Sequence, residues 1–149
     1  MAAEQGTVTT PDGKKLNKVE AIKLAKDGVD VWDDIFRYAV ADAPPLDETK
    51  TQAFLAAGGT PEELPCAARH EAITEEDYVR MRWFGIYQQL PNNGHHMMRI
   101  RITNGFLTPA QFTEIAAIAR QYRRVFGDIT TPQCIQLHWL TIDAFADIL

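Results

Sequence analysis

Two arginines spaced two residues apart give the clearest chemical signal in this sequence. Arg99 and Arg101 lie in a segment, 96–102, in which polar and apolar residues alternate as they do in a β-strand. Because alternate side chains of a strand share a face, the two guanidinium groups should lie on one face, about 7 Å apart. That spacing suits an oxyanion or a ligand with several carboxylates, since each guanidinium can bind one anionic group through two hydrogen bonds.

A second alternating segment, 129–140, predicts a strand that adds polar groups to this surface. Its apolar positions should face the core: Ile135, Leu137 and Trp139. Its polar positions should lie on the opposite face: Thr130, Cys134, Gln136 and His138. If the two strands are neighbours, these polar side chains point the same way as the two arginines. The alternative is a solvated face of an antiparallel sheet, which the pattern alone favours over an anion site.

The other metal-ligating residue types form no motif. His95 and His96 are adjacent, so their side chains would point apart in a strand, and we interpret the pair as a loop feature. Cys66 and Cys134 are far apart in the sequence, so we expect neither a disulfide framework nor a cysteine-ligated zinc or iron–sulfur site from this chain alone. Cys134 is interpreted as a small buried residue.

The composition limits the class of protein. The chain has 149 residues, enough for one domain with a hydrophobic core, and 46% of them are hydrophobic. A formal net charge of -5 argues against nucleic acid as a partner. No apolar run approaches the roughly 20 residues that span a bilayer. The N-terminus lacks the apolar core of a secretory signal, so the sequence predicts a cytoplasmic protein without membrane insertion.

The elements that must position these residues fall into two parts. Residues 1–72 are predicted to form a helical N-terminal arm and connector. The arm contains a polar lead-in at 1–15, a helix that begins after Asn17 with Glu20 completing a capping box, and a short apolar segment over 29–36. The range 41–72, rich in proline and glycine, is predicted to be irregular except for one short helix around 47–57.

Residues 73–149 give a more regular pattern. Thr74 caps a helix, a loop follows at 91–94, and the first strand then ends in a turn at 103–105. Thr108 caps a helix whose first residue is Pro109. The second strand and the start of a final helix, 144–149, complete the order strand–helix–strand–helix, so the fold class is α+β.

Five segments resemble, in the right order, the ferredoxin-dependent assimilatory nitrite reductases of the siroheme-containing nitrite/sulfite reductase family. Residues 97–108 and 128–138 are similar to two hallmark segments of the family's first siroheme-contacting half domain. Residues 82–87 resemble the aromatic segment before its first strand, and residues 17–20 and 26–35 resemble the arm that precedes it. The resemblance implies that 73–149 form an incomplete ferredoxin-like half domain.

The resemblance also implies a chemistry. Siroheme carries eight carboxylates around an iron that is bridged through a cysteine to a [4Fe–4S] cluster, and ferredoxin supplies the six electrons that reduce nitrite to ammonium. Arg99 matches the family arginine near siroheme and substrate, and is the predicted catalytic residue. The resemblance implies the following siroheme contacts: Arg99, Arg101, Thr130, Gln136 and His138.

Two positions depart from the family pattern. Pro132 stands where the family usually has an arginine, and Cys134 stands where it usually has an asparagine. Because Pro132 offers neither a cation nor a backbone N–H, one siroheme contact is in doubt. The family's cluster cysteines lie further downstream, so the chain is interpreted as an N-terminal fragment that holds no metal ligand and is inactive alone.

Alternative functions remain open. Sulfite is the second candidate substrate within the family. A different class is a short, non-catalytic protein that binds ferredoxin or the reductase. Its contact residues would be Arg80, Arg82, Trp83 and a group of lysines: Lys14, Lys15, Lys18, Lys23 and Lys26. The same lysines would also be explained as an ordinary solvated helix face, and the pattern favours that explanation.

Overall fold

The computed structural model describes residues 9–10, 12–89, 94–122 and 127–149. These residues contain seven α-helices and one four-stranded sheet. The α+β class is therefore confirmed. The helices are α1 Lys18–Leu24, α2 Gly28–Val40, α3 Glu48–Ala56, α4 Leu64–Glu71, α5 Glu75–Met81, α6 Pro109–Gln121 and α7 Ala144–Ile148. The strands are β1 Ile86–Gln88, β2 His96–Arg101, β3 Asp128–Thr130 and β4 Cys134–Leu140. Residues 1–8 and 11 of the expected lead-in, and 91–93 of the expected loop, lie outside the described residues.

Side-chain caps start the helices as the sequence predicts. The capping box of Asn17 and Glu20 begins α1, with both hydrogen bonds at 2.9 Å. Thr74 caps α5 by accepting from the backbone N–H of Asp77, and Thr108 caps α6. These caps satisfy N–H groups that have no partner within the helix. The apolar segment predicted at 29–36 is part of the longer helix α2.

The irregular connector predicted for 41–72 is only partly correct. The short helix expected around 47–57 is present as α3, but a 3-10 turn at Pro61–Glu63 and helix α4 follow it. Pro61 and Pro65 lie in the first turn of these elements, where a backbone N–H has no helical partner to lose. The prolines therefore begin helical structure here, whereas their frequency in the sequence predicts an irregular segment.

The sheet is antiparallel throughout, with strand order β1-β2-β4-β3. The single strand predicted at 129–140 is wrong, because a turn divides it into the β3–β4 hairpin. Gln133 occupies this turn with a φ of 57°, and its N–H donates to the carbonyl oxygen of Thr130. Thr130 consequently pairs with Cys134 across the hairpin.

One face of the sheet packs in the core, as the alternation predicts. Met98, Ile135 and Leu137 are buried, and α6 covers them with Ala119 and the side chains around it. The prediction that Trp139 shares this face is wrong. His138 and Trp139 together stand opposite one residue of β2, a β-bulge in which Trp139 has a φ of 64°, and Leu140 takes the core position.

The interpretation of His95 and His96 as a loop feature is only partly correct, because His95 precedes β2 whereas His96 belongs to it. Both side chains are fully buried, and His96 is the first residue of β2. His96 Nε2 lies 3.3 Å from His70 Nδ1 and 3.0 Å from the hydroxyl of Tyr78. The His95 ring stacks on Phe54 of α3. Residues of the arm thus contact both buried rings: Phe54 packs against His95, and His70 lies beside His96.

A buried carboxylate joins the arm to the rest of the structure. Asp77 accepts hydrogen bonds from Tyr38 at 2.7 Å, Thr74 at 2.9 Å and Arg80 at 2.8 Å. Lys26 Nζ lies 3.3 Å from the same carboxylate. Burial opposes ionisation, but these donors outweigh it and hold the pKa of Asp77 at about 2.

Candidate functional site

Five predicted site residues lie on the sheet face opposite the core, and we call this set the cation face: Arg99, Arg101, Thr130, Gln136 and His138. Strand register brings them together, because Arg99 pairs with Gln136 across β2 and β4. Arg101 pairs with Cys134, which in turn pairs with Thr130 of β3. Directly opposed residues in an antiparallel sheet share a face, so the neighbourhood predicted from alternation exists in the structure.

Gln136 holds the guanidinium of Arg99. With its amide oriented so that the oxygen faces the guanidinium, as the hydrogen-bond network requires, Gln136 accepts from Arg99 Nη2 at 3.0 Å and from Nε at 3.2 Å. These bonds engage two of the five N–H groups of an arginine side chain. The other N–H groups remain available to an anion, because the arginine side chain itself is exposed.

The ring of Tyr87 lies against the same arginine. Arg99 Cζ is 4.8 Å from the Tyr87 ring centroid, and Arg82 Cζ is 5.9 Å from it. Both distances are in the range of cation–π attraction. Arg82, predicted to bind a partner, therefore adjoins the cation face. Trp83, the other predicted partner-binding residue, is 40% exposed.

Gly85 brings the turn that carries Arg82 close to the backbone of Arg99. The N–H of Arg99 donates to the carbonyl oxygen of Gly85 at 2.8 Å. Gly85 has a φ of 76°, and a Cβ there would lie 2.5 Å from the carbonyl oxygen of Arg99. Only glycine combines this left-handed backbone with so close an approach.

His138 lies between two oxygen acceptors. Its Nδ1 is 3.0 Å from the side-chain oxygen of Gln89, and its Nε2 is 3.0 Å from the carboxylate of Asp128. Asp128 reaches this position because it pairs with Gln136 across the hairpin. The imidazole is thus held by Gln89 through Nδ1 and lies beside the Asp128 carboxylate, on the same face as Arg99.

The two residues that depart from the family pattern lie at the hairpin. Pro132 is exposed in the turn, and its carbonyl oxygen accepts from the Cys134 thiol at 3.5 Å. Cys134 is 5% exposed, which confirms that it is a small buried residue. Thr130 donates its hydroxyl to the Cys134 carbonyl oxygen at 3.3 Å.

The arginines near this site are not neutralised by carboxylates of the described residues. None of Arg82, Arg99 and Arg101 forms a salt bridge within ranges 9–10, 12–89, 94–122 and 127–149. Both strand arginines are exposed, so the face presents two unpaired guanidinium groups, with the carboxylate of Asp128 at its His138 side, in a protein whose net charge is -5. Such a surface attracts anions. By contrast, Lys26 is engaged with Asp34 and Asp77, so it does not contribute to a partner-binding basic group. The prediction that Arg80 belongs to this group is wrong, because Arg80 is buried and paired with Asp77.

The described part of the chain contains no group of three His, Cys, Asp or Glu side chains that could hold a metal ion. Both cysteines are free thiols. Burial, followed by a hydrogen bond to Asp143, raises the pKa of Cys66 to about 12, which keeps the thiol protonated at neutral pH. No helix in the portion described is long and apolar enough to cross a membrane.

Sequence reasoning missed three residues that complete the site: Tyr87, Gln89 and Asp128. Tyr87 was included only in an aromatic segment, without the prediction of strand β1. Asp128 precedes the alternating segment 129–140, and its pairing with Gln136 depends on the unpredicted hairpin. No signal in the sequence identifies Tyr87 as a neighbour of Arg99, because alternation within one strand does not specify which strand pairs with it.

Comparison with known proteins assigns the sheet and its helices to a family. Residues 87–149 match the family described as the nitrite/sulfite reductase ferredoxin-like half domain. A ferredoxin–nitrite reductase of Leptolyngbya laminosa is 29% identical over 143 residues, which cover 95% of this chain and 23% of that protein. A sulfite reductase [NADPH] hemoprotein beta-component of Nitrobacter hamburgensis is 32% identical over 80 residues, covering 45% of this chain and 14% of that protein.

A solved structure shares the fold. The structure of the Mycobacterium tuberculosis NirA protein superposes with a TM-score of 0.61 at 22% identity, covering 89% of this chain and 23% of that one. The chain is therefore an α+β protein that shares this fold, and its residues 87–149 match the nitrite/sulfite reductase ferredoxin-like half domain. It spans less than a quarter of the length of these relatives.

Proposed function

We propose that this chain is the N-terminal portion of a ferredoxin-dependent nitrite reductase and supplies part of its siroheme and substrate site. The observation that carries the proposal is the cation face, with two arginines free of salt bridges to the described residues, in the segment that matches the half domain. In this proposal Arg99 is the catalytic residue, and it also contacts siroheme together with Arg101, Thr130, Gln136 and His138. The chain alone does not turn over nitrite.

The donor set of the face fits siroheme. A macrocycle bordered by carboxylates needs several hydrogen-bond donors and uncompensated cations on one surface, and Arg99 and Arg101 provide both. Siroheme supplies the iron centre for the six-electron reduction, and its [4Fe–4S] partner takes ligands from outside this chain. Arg99 directs N–H groups at the anion and stabilises negative charge, while Gln136 orients Arg99. His138 lies beside them on the cation face, with its ring nitrogens next to Gln89 and Asp128.

Pro132 supplies no cation at the hairpin end of the cation face. Pro132 has no backbone N–H and projects from an exposed turn. Arg101 is the neighbouring cation, because its β4 partner is Cys134 at the start of the strand. Arg101 would therefore hold an anionic group of the cofactor at the hairpin end of the face.

The share of this chain that each relative matches favours nitrite over sulfite as the substrate. The similarity to the Leptolyngbya laminosa nitrite reductase extends over 95% of the chain and so includes the arm. The similarity to the sulfite reductase component covers 45%. Ferredoxin is the proposed electron donor, with Arg82 and the exposed Trp83 as its contact residues, and the proposed location is the cytoplasm.

A second candidate is a short protein that binds ferredoxin or the reductase without catalysis. The exposed Trp83 and the exposed lysines Lys14, Lys15 and Lys18 favour it. The coding sequence downstream of Leu149 discriminates between the two. A continuing frame that encodes paired cysteines agrees with the reductase, whereas an immediate stop codon agrees with the short protein.

A chimera tests the proposed function. This chain replaces the matching segment of the Leptolyngbya laminosa nitrite reductase, and nitrite and sulfite reduction are measured with reduced ferredoxin. We expect nitrite turnover, a loss of about a hundredfold in kcat for Arg99→Met, and little change for the control Arg120→Met on the exposed side of α6. Faster reduction of sulfite than of nitrite, or equal rates for the two variants, would contradict the proposal.

A further inference from the structure

Tyr87 is a residue of the cation-face neighbourhood to which the proposed chemistry gives no role. It is half-buried on β1 and pairs with Met97, which lies on the same face of β2 as Arg99. Its ring is therefore diagonal to Arg99 across the two strands, within reach of a long side chain. The 4.8 Å from ring centroid to Arg99 Cζ shows that the guanidinium lies against the ring.

Arg99 needs restraint if it is to bind an anion well. An exposed arginine has several rotatable bonds, and fixing such a side chain on binding costs conformational entropy. A carboxylate partner could fix it, but that partner would cancel its charge and compete with the ligand. A neutral amide and an aromatic ring fix it without cancelling its charge.

We propose that Tyr87 is the positioning residue of Arg99, holding the plane of its guanidinium while Gln136 holds one edge. The ring consumes no N–H, so the N–H groups that do not bond to Gln136 stay directed at the ligand. This inference rests on the proposed function only for the identity of the anion. The same ring also lies near Arg82, so it keeps a second cation beside the first.

The position of Tyr87 is itself well determined. Strand β1 pairs with β2 at three successive residues, and its first residue, Ile86, is fully buried. The contact between Gly85 and Arg99 fixes the backbone two residues before Tyr87. The ring therefore provides a rigid surface for a mobile side chain, as a preorganised site requires.

NMR of the arginine Nε–H groups tests the positioning without any ligand. The Arg99 signal is assigned by its loss in Arg99→Met. In the native chain the Arg99 Hε resonance should be shifted by the ring current of Tyr87. Tyr87→Phe should retain that shift, whereas Tyr87→Leu should lose it. The control Phe112→Leu, at an exposed aromatic on α6, should leave the resonance unchanged. An unchanged Arg99 resonance in a folded Tyr87→Leu chain would overturn the proposal.

Siroheme titration followed by absorbance tests the consequence for binding. Tyr87→Phe should bind within about twofold of the native chain, and Tyr87→Leu should bind about fivefold more weakly. Once Arg99 is Met, the additional change Tyr87→Leu should cost nothing, because the ring acts through Arg99. Full additivity of the two changes would overturn the positioning role.

The two tests separate this inference from the proposed function. If Arg99→Met binds siroheme as the native chain does, the assignment of the anion fails. The ring-current result then still decides whether Tyr87 orients Arg99. If the ring current is absent, Tyr87 is not the positioning residue even when siroheme binding depends on Arg99.

Discussion

The N–H of Arg99 donates to the carbonyl oxygen of Gly85 at 2.8 Å, and the Arg99 carbonyl leaves no room for a Cβ on Gly85. This contact fixes the strand residue that carries the central cation of the face. It also ties that residue to the turn that carries Arg82 and Trp83. The predicted partner-binding segment and the predicted cofactor-binding residue are therefore directly connected through the backbone.

Gly85→Ala should destabilise the protein by about 2 kcal/mol, because the alanine must adopt a φ near 76° and clash with Arg99. Urea unfolding of the chain measures this change. Gly28→Ala is the matched control, since Gly28 has open space around it at the start of α2. Equal stability of the two variants would contradict the close contact between Gly85 and Arg99.

Asp77→Asn should destabilise the protein by about 3 kcal/mol, because Lys26 and Arg80 would lose their buried carboxylate partner. Asp33→Asn, at an exposed position on α2, should change the free energy of unfolding by less than about 0.5 kcal/mol. Chemical denaturation at pH 7 checks both values. A small effect for Asp77→Asn would show that the charge cluster does not hold the arm.

The same carboxylate predicts a dependence on acid. The pKa of Asp77 is about 2 in the folded protein, against 3.8 as its ordinary value, so its contribution is fully present above pH 4. That contribution is lost as the pH falls from about 4 to about 2. Unfolding followed across this range should show a steeper fall in stability for the native chain than for Asp77→Asn. Parallel curves would refute the prediction.

His96 predicts a second pH effect with a different window. Burial, reinforced by repulsion from His70, lowers the pKa of His96 from 6.5 to about 3. Between these values the unfolded chain binds a proton that the folded one does not, so stability falls as pH decreases from 6.5. His96→Gln should remove about 1.4 kcal/mol per pH unit of that slope between pH 4 and 6. An identical slope for the native chain and the variant would contradict it.

Exposed apolar residues near the hairpin predict self-association. Phe106 is 83% exposed and Ile129 is 81% exposed, beside an apolar groove of 290 Å³ that Ile129 lines. Exposed patches of this kind promote aggregation. The double change Phe106→Ser with Ile129→Thr should reduce light scattering at high concentration and leave the unfolding midpoint nearly unchanged. Val40→Thr, at an exposed position on α2, is the control and should leave the scattering as it is.

Local signals in the sequence were sufficient for much of the fold. The caps at Asn17, Thr74 and Thr108 and the alternation around Arg99 depend on neighbouring residues, so they were predicted correctly. The hairpin was missed because Gln133, unlike glycine, gives no sign of a left-handed turn. The bulge at Trp139 was missed for the same reason, and it reversed one face assignment.

In the candidate site, too, features set by neighbouring residues were predicted and features set by strand pairing were not. Arg99, Arg101, Gln136 and His138 were placed on one face because alternation within each strand determines it. Tyr87 and Asp128 join the site only through pairing between strands, which an alternating pattern does not specify. The burial of His95 and His96 depends on helices of the arm, which lie far from them in sequence.

Siroheme titration of Arg99→Met/Arg101→Met tests the central claim, that the cation face is a siroheme surface, most directly. Absorbance is followed at low and high salt for the native chain, this double variant and the control Arg120→Met. We predict salt-sensitive binding by the native chain and the control, and at least a tenfold loss of affinity for the double variant. Equal affinity of all three proteins at low salt would contradict the account.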